Sequence, residues 1–100
     1  ENQIRYVTLV ADKRTMEAAG LKLSTKLAAV GIICDEVILT ENHIGDVAAD
    51  EAAVVEVLLG LNKASQAILA VGGGTIHDIV RFVSVKVGQP FLSSMLFSKI

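Results

Sequence analysis

The chain has 100 residues, 52% of them hydrophobic and 20% charged, so it can bury one small core but not two. The formal net charge is −2 and the basic residues are scattered, which argues against a nucleic-acid-binding surface. No apolar run reaches the ~18 residues of a membrane span, and the lone Cys34 fits a reducing cytoplasm. The two histidines, His43 and His77, are far apart and offer no metal-ligand spacing.

Short apolar segments alternate with segments that have apolar residues at helical spacing. The predicted strands are residues 4–11, 36–40, 67–71 and, at the start of a fourth, 90–92. The predicted helices are residues 15–30, 48–60 and 75–87. This β-α-β-α-β-α-β order predicts an α/β fold, a Rossmann-like three-layer αβα domain with a parallel sheet.

Glycines and apolar side chains define the limits and faces of these helices. Gly20 interrupts the first helix, while Gly31 and Gly88 favour the ends of the first and third. The faces expected to be buried are Met16, Ala19, Leu23, Leu27 and Val30 in the first helix, Val54, Val55, Leu58 and Leu59 in the second, and Ile76, Ile79, Val80, Val83 and Val87 in the third.

The third predicted strand runs directly into Gly72, Gly73 and Gly74, and Thr75 then begins a helix. Glycines at this turn permit positive φ angles and remove Cβ atoms from the approach path of a ligand. The helix presents free N–H groups and the positive end of its dipole, which suits a phosphate or diphosphate. In α/β proteins, ligands bind beyond the carboxyl ends of the strands, where this turn would lie.

A purely structural role for the same residues stays open. The glycines could simply permit tight packing, and Thr75 with Asp78 fits a capping box that satisfies free N–H groups. The turn is not G-x-G-x-x-G, and it lacks the Lys-Ser/Thr ending of a P-loop.

The segment AVGGGTIHDIVRFVSVKVGQPFLS (residues 70–93) resembles the nucleotide-binding part of a superfamily that contains iron-type alcohol dehydrogenases, glycerol dehydrogenases and 3-dehydroquinate synthase. Its continuation after the glycines is most similar to glycerol-1-phosphate dehydrogenases. The earlier segment LVADKRTMEAAG (residues 9–20) resembles the first strand and turn of that family.

The resemblance implies roles for particular residues. Gly73, Gly74 and Thr75, next to Gly72, would hold the diphosphate of NAD or NADP. Asp78 would lie near the nicotinamide. Asp12 would accept hydrogen bonds from the adenosine ribose and so favour NAD over NADP, although an ordinary strand-end or helix-capping aspartate is an equal alternative.

Other polar residues have simpler interpretations. His77 stands where similar proteins often carry Asn, and we expect a polar residue on the helix surface. His43 is interpreted as a solvated loop residue. Arg81 is expected to pair with neighbouring acids rather than to reach a substrate phosphate.

The resemblance also implies parts that residues 94–100 do not supply: a second loop touching the nicotinamide, and a helical domain with the ligands of a divalent metal (zinc, iron or nickel). We therefore expect residues 1–100 to form a single truncated nucleotide-binding domain that is inactive alone. An apolar surface exposed near its C-terminus would favour a homo-oligomer. This surface would comprise Phe91, Leu92, Met95, Leu96, Phe97 and Ile100.

Three functions follow as hypotheses. The first is the NAD(P)-binding domain of a metal-dependent polyol-phosphate dehydrogenase, which transfers a hydride between nicotinamide and a glycerol-type alcohol. The second is part of a dehydroquinate synthase-type enzyme. The third is a non-catalytic folded fragment or assembly module.

Overall fold

The computed structural model describes residues 4–40 and 51–97, with side chains described up to residue 95. The predicted alternation of strands and helices is confirmed over these ranges. The elements in chain order are β1 (Tyr6–Asp12), α1 (Lys13–Thr15), a π-helical turn (Met16–Gly20), α2 (Leu21–Ala29), β2 (Ile33–Leu39), α3 (Glu51–Gly60), β3 (Ala67–Ala70), α4 (Gly74–Val87), β4 (Phe91–Ser93) and a 3₁₀ turn (Ser94–Phe97).

The four strands form one parallel sheet in the order β2-β1-β3-β4. In the register of the central pair, Val7 lies opposite Ala67 and Val10 opposite Ala70. β1 is followed by β2 on one side and has β3 on its other side, so the strand order reverses between β1 and β3. A crevice at such a switch point, beyond the carboxyl ends of the strands, is where open α/β sheets bind ligands.

Helices cover both faces of the sheet, which confirms the three-layer αβα prediction. On one face, α3 and α4 pack Val57, Ile79 and Val83 against Val10 and Ile68. On the other face, the π-helical turn and α2 pack against the opposite side chains of β1 and β3. The members of this second cluster include Met16, Leu23, Leu27, Leu9 and Leu69.

The first predicted helix is confirmed as an interrupted one. Its π-helical turn ends at Gly20, where a Cβ atom would lie only 2.5 Å from the Met16 sulfur. Gly31 follows the end of α2 with a positive φ of 87°, as its predicted role as a helix stop requires. Val30, assigned to the buried face, is instead 72% exposed.

The predicted face of α3 is wrong except at Val54, which is half-buried and packs against the core. Ala53 and Val57 are buried, whereas Val55, Leu58 and Leu59 are exposed. The helix is apolar almost all round, so its periodicity does not identify the side that faces the sheet. The predicted start of this helix and His43 fall within residues 41–50, outside the described residues.

A membrane-spanning helix must be both long and apolar. In residues 4–40 and 51–97, no helix combines the length and the apolar character needed to cross a bilayer.

Candidate functional site

Asp12 lies at the carboxyl end of β1 and is 5% exposed. Its Oδ1 atom accepts hydrogen bonds from the Thr15 backbone N–H at 2.7 Å and from the Thr15 hydroxyl at 2.9 Å. The Thr15 side chain accepts the Asp12 N–H at 3.1 Å, which completes a capping box. The alternative of a helix-capping aspartate is therefore confirmed. A hydrogen bond from Asp12 to the adenosine ribose stays a prediction.

Thr15 also joins the ends of the two central strands. Its hydroxyl lies 3.0 Å from the carbonyl oxygen of Val71, the residue that leads from β3 into the glycine turn. The Thr15 methyl carbon would be 3.3 Å from a Cβ atom at Gly72. The loops after β1 and β3 are thus in direct contact at the switch point.

The three glycines of the turn differ from one another. Gly72 alone has a positive φ, 145°, and a Cβ there would lie 2.5 Å from Ile76 Cδ1. A Cβ atom at Gly73 or Gly74 would meet no other segment within 4 Å. The expectation of positive φ holds only for Gly72, whereas Gly73 and Gly74 provide the open approach to the helix.

The alternative of a Thr75–Asp78 capping box is wrong. α4 begins at Gly74, with Gly73 as its N-cap residue (φ −82°, ψ −168°), so Thr75 lies inside the helix. No side chain of the described residues caps this end, and the first turn holds no acidic residue. The first N–H groups of α4 therefore have no side-chain acceptor in that part of the chain and point, with the positive end of the helix dipole, toward the space over the glycines.

Asp78 lies on the exposed surface of α4 and accepts a hydrogen bond from Arg81 at 3.1 Å. The predicted pairing of Arg81 with a neighbouring acid is confirmed. Because both side chains are more than half exposed, this ion pair adds little stability. The guanidinium also lies 5.0 Å from the centre of the Phe91 ring, which connects α4 to β4.

His77 is more than the polar surface residue that the sequence suggested. It is half-buried, and its Nδ1 lies 2.9 Å from the Gly73 carbonyl oxygen. Its Nε2 lies 2.7 Å from the hydroxyl of Ser93 at the end of β4. Ser93 was missed at the sequence level because only the sheet brings it to His77, sixteen positions earlier.

An open groove of about 310 Å³ lies between α2, with the π-helical turn before it, and the 3₁₀ turn after β4. Lys22 and Lys26 lie along it opposite Ser94 and Met95. The glycine turn does not line this groove, so it is a separate surface rather than the phosphate position itself.

Two titratable groups with raised pKa values lie at the other end of the strands. The pKa of Tyr6, at the start of β1, is raised chiefly by its hydrogen bond to Asp35. Burial raises the pKa of the Cys34 thiol near the start of β2. Neither group faces the glycine turn, so both belong to the scaffold.

The arrangement fits a dinucleotide diphosphate better than a metal ion. Free N–H groups, a helix dipole and an approach without Cβ atoms meet at residues 72–75. Among residues 4–40 and 51–97, no group of three His, Cys, Asp or Glu side chains could hold a metal. The described part of the chain therefore has donors suited to a phosphate and no such cluster of metal ligands.

Comparisons with known proteins identify the family of the chain. The family model described as iron-containing alcohol dehydrogenase matches residues 1–94. The chain is 45% identical over 88 residues to a glycerol-1-phosphate dehydrogenase [NAD(P)+] of Bacillus velezensis, covering 88% of this chain and 22% of that protein. It is 39% identical over 89 residues to the Bacillus subtilis protein of the same name, covering 89% of this chain and 23% of the relative.

A solved structure has the same fold. Glycerol dehydrogenase from Schizosaccharomyces pombe superposes with a TM-score of 0.77 at 16% identity, over 88% of this chain and 21% of that one. The chain thus spans between a fifth and a quarter of the length of the proteins it matches. On the strength of the family match over residues 1–94, the chain belongs to the iron-containing alcohol dehydrogenase family.

Proposed function

We propose that this chain binds NAD or NADP through the turn at residues 72–75, as the nucleotide-binding part of a metal-dependent polyol-phosphate dehydrogenase. The observation that carries the proposal is the uncapped N-terminus of α4, which opens at the switch point of the sheet. Backbone N–H groups at such a position are good donors for phosphate oxygens.

The reaction class is supported by the relatives. Those from Bacillus velezensis, Bacillus subtilis and Geobacillus thermodenitrificans are all named glycerol-1-phosphate dehydrogenase [NAD(P)+]. For the longer protein we therefore propose hydride transfer between nicotinamide and a glycerol-type alcohol. These names favour a dehydrogenase over a dehydroquinate synthase-type enzyme.

The residues of this chain would bind and orient the cofactor. The N–H groups after Gly73 would donate to the diphosphate, and the exposed Asp78 would lie toward the nicotinamide end. A divalent metal would polarise the alcohol oxygen, but its ligands would have to come from a further domain, since the described residues provide no cluster for it. We therefore propose that residues 1–100 alone do not turn over substrate.

Isothermal titration calorimetry of the chain with NADH and with NADPH tests cofactor binding. The matched variant is Gly73→Val, because the extended backbone at Gly73 accepts a β-branched residue and its Cβ would meet no other segment. We expect the isopropyl group to lower NADH affinity at least ~10-fold while unfolding free energy changes by only about 1 kcal/mol. Unchanged affinity in Gly73→Val would place the diphosphate elsewhere.

Cofactor preference would depend on Asp12. Its carboxylate is 5% exposed and fixed by Thr15, and a negative charge there disfavours the 2′-phosphate of NADP. Asp12→Asn keeps an oxygen that can cap α1 but removes the charge. We expect the preference for NADH over NADPH to shrink ~5- to 10-fold; an unaltered ratio would refute this role.

Self-association is a second proposal, and it bears on the alternative of a non-catalytic module. Of the C-terminal apolar set, Met95 is 71% exposed and Phe91 and Leu92 are half-buried, while the side chains of Leu96, Phe97 and Ile100 lie outside the described residues. An exposed apolar surface favours contact between copies. Sedimentation velocity over a range of concentrations would test this, and a monomer throughout would contradict it.

A cytoplasmic location also stays a proposal, supported by the single unpaired Cys34 and by the use of a nicotinamide cofactor in the relatives. Cell fractionation with an antibody against the chain would test it.

A further inference from the structure

Two hydrogen bonds fix the peptide that joins Gly73 to Gly74. The Gly73 carbonyl oxygen accepts the His77 backbone N–H at 3.1 Å, as expected in a helix. It also accepts a second bond from the same residue, because the Nδ1 atom of the His77 ring lies 2.9 Å away. Together these donors hold the carbonyl against the first turn of α4.

The orientation of this carbonyl decides where the Gly74 N–H points. In a planar trans peptide the C=O and N–H bonds point in opposite directions, so a carbonyl held toward the helix turns the Gly74 N–H outward. Neither glycine has a Cβ atom to restrict its backbone, so apart from the helical His77 N–H bond the ring is the further restraint on this peptide. The His77 side chain thus limits rotation at the point where a phosphate would approach.

The other end of the ring is held by β4. The Nε2 atom of His77 lies 2.7 Å from the Ser93 hydroxyl, which accepts the Met95 N–H at 3.1 Å. A carbonyl oxygen only accepts, so in the neutral ring Nδ1 carries the proton and Nε2 accepts from Ser93. The hydrogen bonds therefore run in one direction, from Met95 through Ser93 and His77 to Gly73.

The plane of the ring is set by packing. The Phe91 ring meets the His77 ring edge-on, with centroids 6.0 Å apart and an interplanar angle of 74°. Arg81 lies 5.0 Å from the centroid of Phe91 and so helps to keep that ring in place. His77 is therefore held by β4 on one side and by the glycine turn on the other.

From this geometry we infer that His77 is a positioning residue for phosphate binding: it holds the Gly73–Gly74 peptide so that the Gly74 N–H faces the diphosphate of the cofactor. The inference rests on the proposed function, because it assigns a role at the same turn. His77 acts through the peptide and does not itself touch the ligand.

Two variants separate the two ends of the ring. In His77→Asn, the amide nitrogen can occupy the position of Nδ1 and donate to Gly73, but the side chain is too short for Ser93. In His77→Gln, the amide reaches the position of Nε2 near Ser93 and leaves the Gly73 carbonyl without its side-chain donor. Both variants are neutral amides, so a difference between them reports position rather than charge.

The probes are ADP, which carries a diphosphate, and adenosine, which does not. We expect His77→Asn to bind ADP within about twofold of the wild-type chain and His77→Gln to bind it about tenfold more weakly, as loss of one hydrogen bond at an anion site implies. Adenosine binding should be equal in all three. The Gly74 amide resonance should shift on ADP addition in the wild-type chain and His77→Asn, and shift less in His77→Gln.

A stability check, a replacement variant and an NMR measurement keep the test valid if a variant folds poorly. Melting temperatures are compared first, and Ser93→Ala replaces His77→Gln if the latter is unfolded; it should weaken ADP binding about threefold by freeing the ring. In a His43→Gln background, nitrogen NMR of the single remaining histidine should show the proton on Nδ1 at neutral pH.

Equal ADP affinities for folded Asn and Gln variants would overturn the inference while leaving the proposed function intact. A proton on Nε2 would overturn the direction of the hydrogen bonds and the inference with it. Failure of the wild-type chain to bind ADP, NADH or NADPH would overturn the proposed function as well.

Discussion

Replacing Gly72 with alanine should destabilise the fold far more than the same change at Gly74. Gly72 has φ of 145°, a conformation that costs a residue with a Cβ about 1–3 kcal/mol. The new methyl group would also lie 2.5 Å from Cδ1 of Ile76, which is 2% exposed. Forcing that buried side chain to move adds about 1–3 kcal/mol, so we expect a total loss of roughly 2–6 kcal/mol of unfolding free energy.

Gly74→Ala is the matched control. A Cβ at Gly74 would meet no other segment, and the residue has helical geometry in the first position of α4. Alanine is the better helix former by up to about 1 kcal/mol, so this variant should be as stable as the wild-type chain or slightly more stable. The two substitutions add the same methyl group two residues apart, which isolates the effect of local geometry.

Thermal unfolding, monitored by circular dichroism, measures the stability of both variants. For a domain of this size, each 1 kcal/mol corresponds to roughly 4–8 °C in melting temperature, so Gly72→Ala should melt at least about 10 °C below the wild-type chain. Gly74→Ala should melt at the wild-type temperature or a few degrees above it. Equal melting temperatures for the two variants would refute the assignment of strain to Gly72.

Two further perturbations test the scaffold around the site. Thr15→Val removes the hydroxyl that bonds Asp12 and Val71 and should cost about 1–2 kcal/mol of unfolding free energy in denaturant titrations, whereas Thr15→Ser should retain most of it. The pKa of Tyr6 is raised above 10.0 by its bond to Asp35, so the neutral phenol is favoured in the folded state. That contribution to stability is complete below pH 10 and lost as the pH rises through the folded-state pKa. Because Tyr6 is the one tyrosine in a chain without tryptophan, phenolate absorbance reports the ionisation of Tyr6 directly. Asp35→Ala should move this titration to lower pH. An unchanged titration would contradict the hydrogen bond to Asp35 as the cause of the raised pKa.

The sequence predicted the strand-helix alternation because buried parallel strands are continuous apolar runs bounded by glycine or polar residues. It did less well at β2, which begins at Ile33 rather than at Glu36. β2 is an edge strand, so its polar Asp35 can remain half-exposed and bond to Tyr6 across the strand pair. Period and polarity alone do not reveal that tolerance, because it depends on the neighbouring strand.

The position of the glycine turn in the fold was predicted, but the detail of its structure was not. The glycine turn lies at the carboxyl edge of the sheet as expected, since any turn after a parallel strand must lie there. Sequence patterns locate helix starts only to within a residue or two. The helix begins at Gly74, one residue before its predicted start, so the alternative of a capping box at Thr75 does not hold. The role of His77 depends on Ser93 and was not accessible, because strand pairing creates that contact.

The carboxyl edge of the sheet is organised by side chains that join one strand end to the next. Thr15 links the loop after β1 to Val71 after β3, and His77 links the turn after β3 to Ser93 at the end of β4. Both contacts are made within the protein, so the rim is set before any ligand arrives. A preformed rim loses less conformational entropy on binding, which favours affinity. In the proposed phosphate site, the uncapped N–H groups of α4 would therefore depend on neighbouring side chains that fix their direction, and not on the glycines alone.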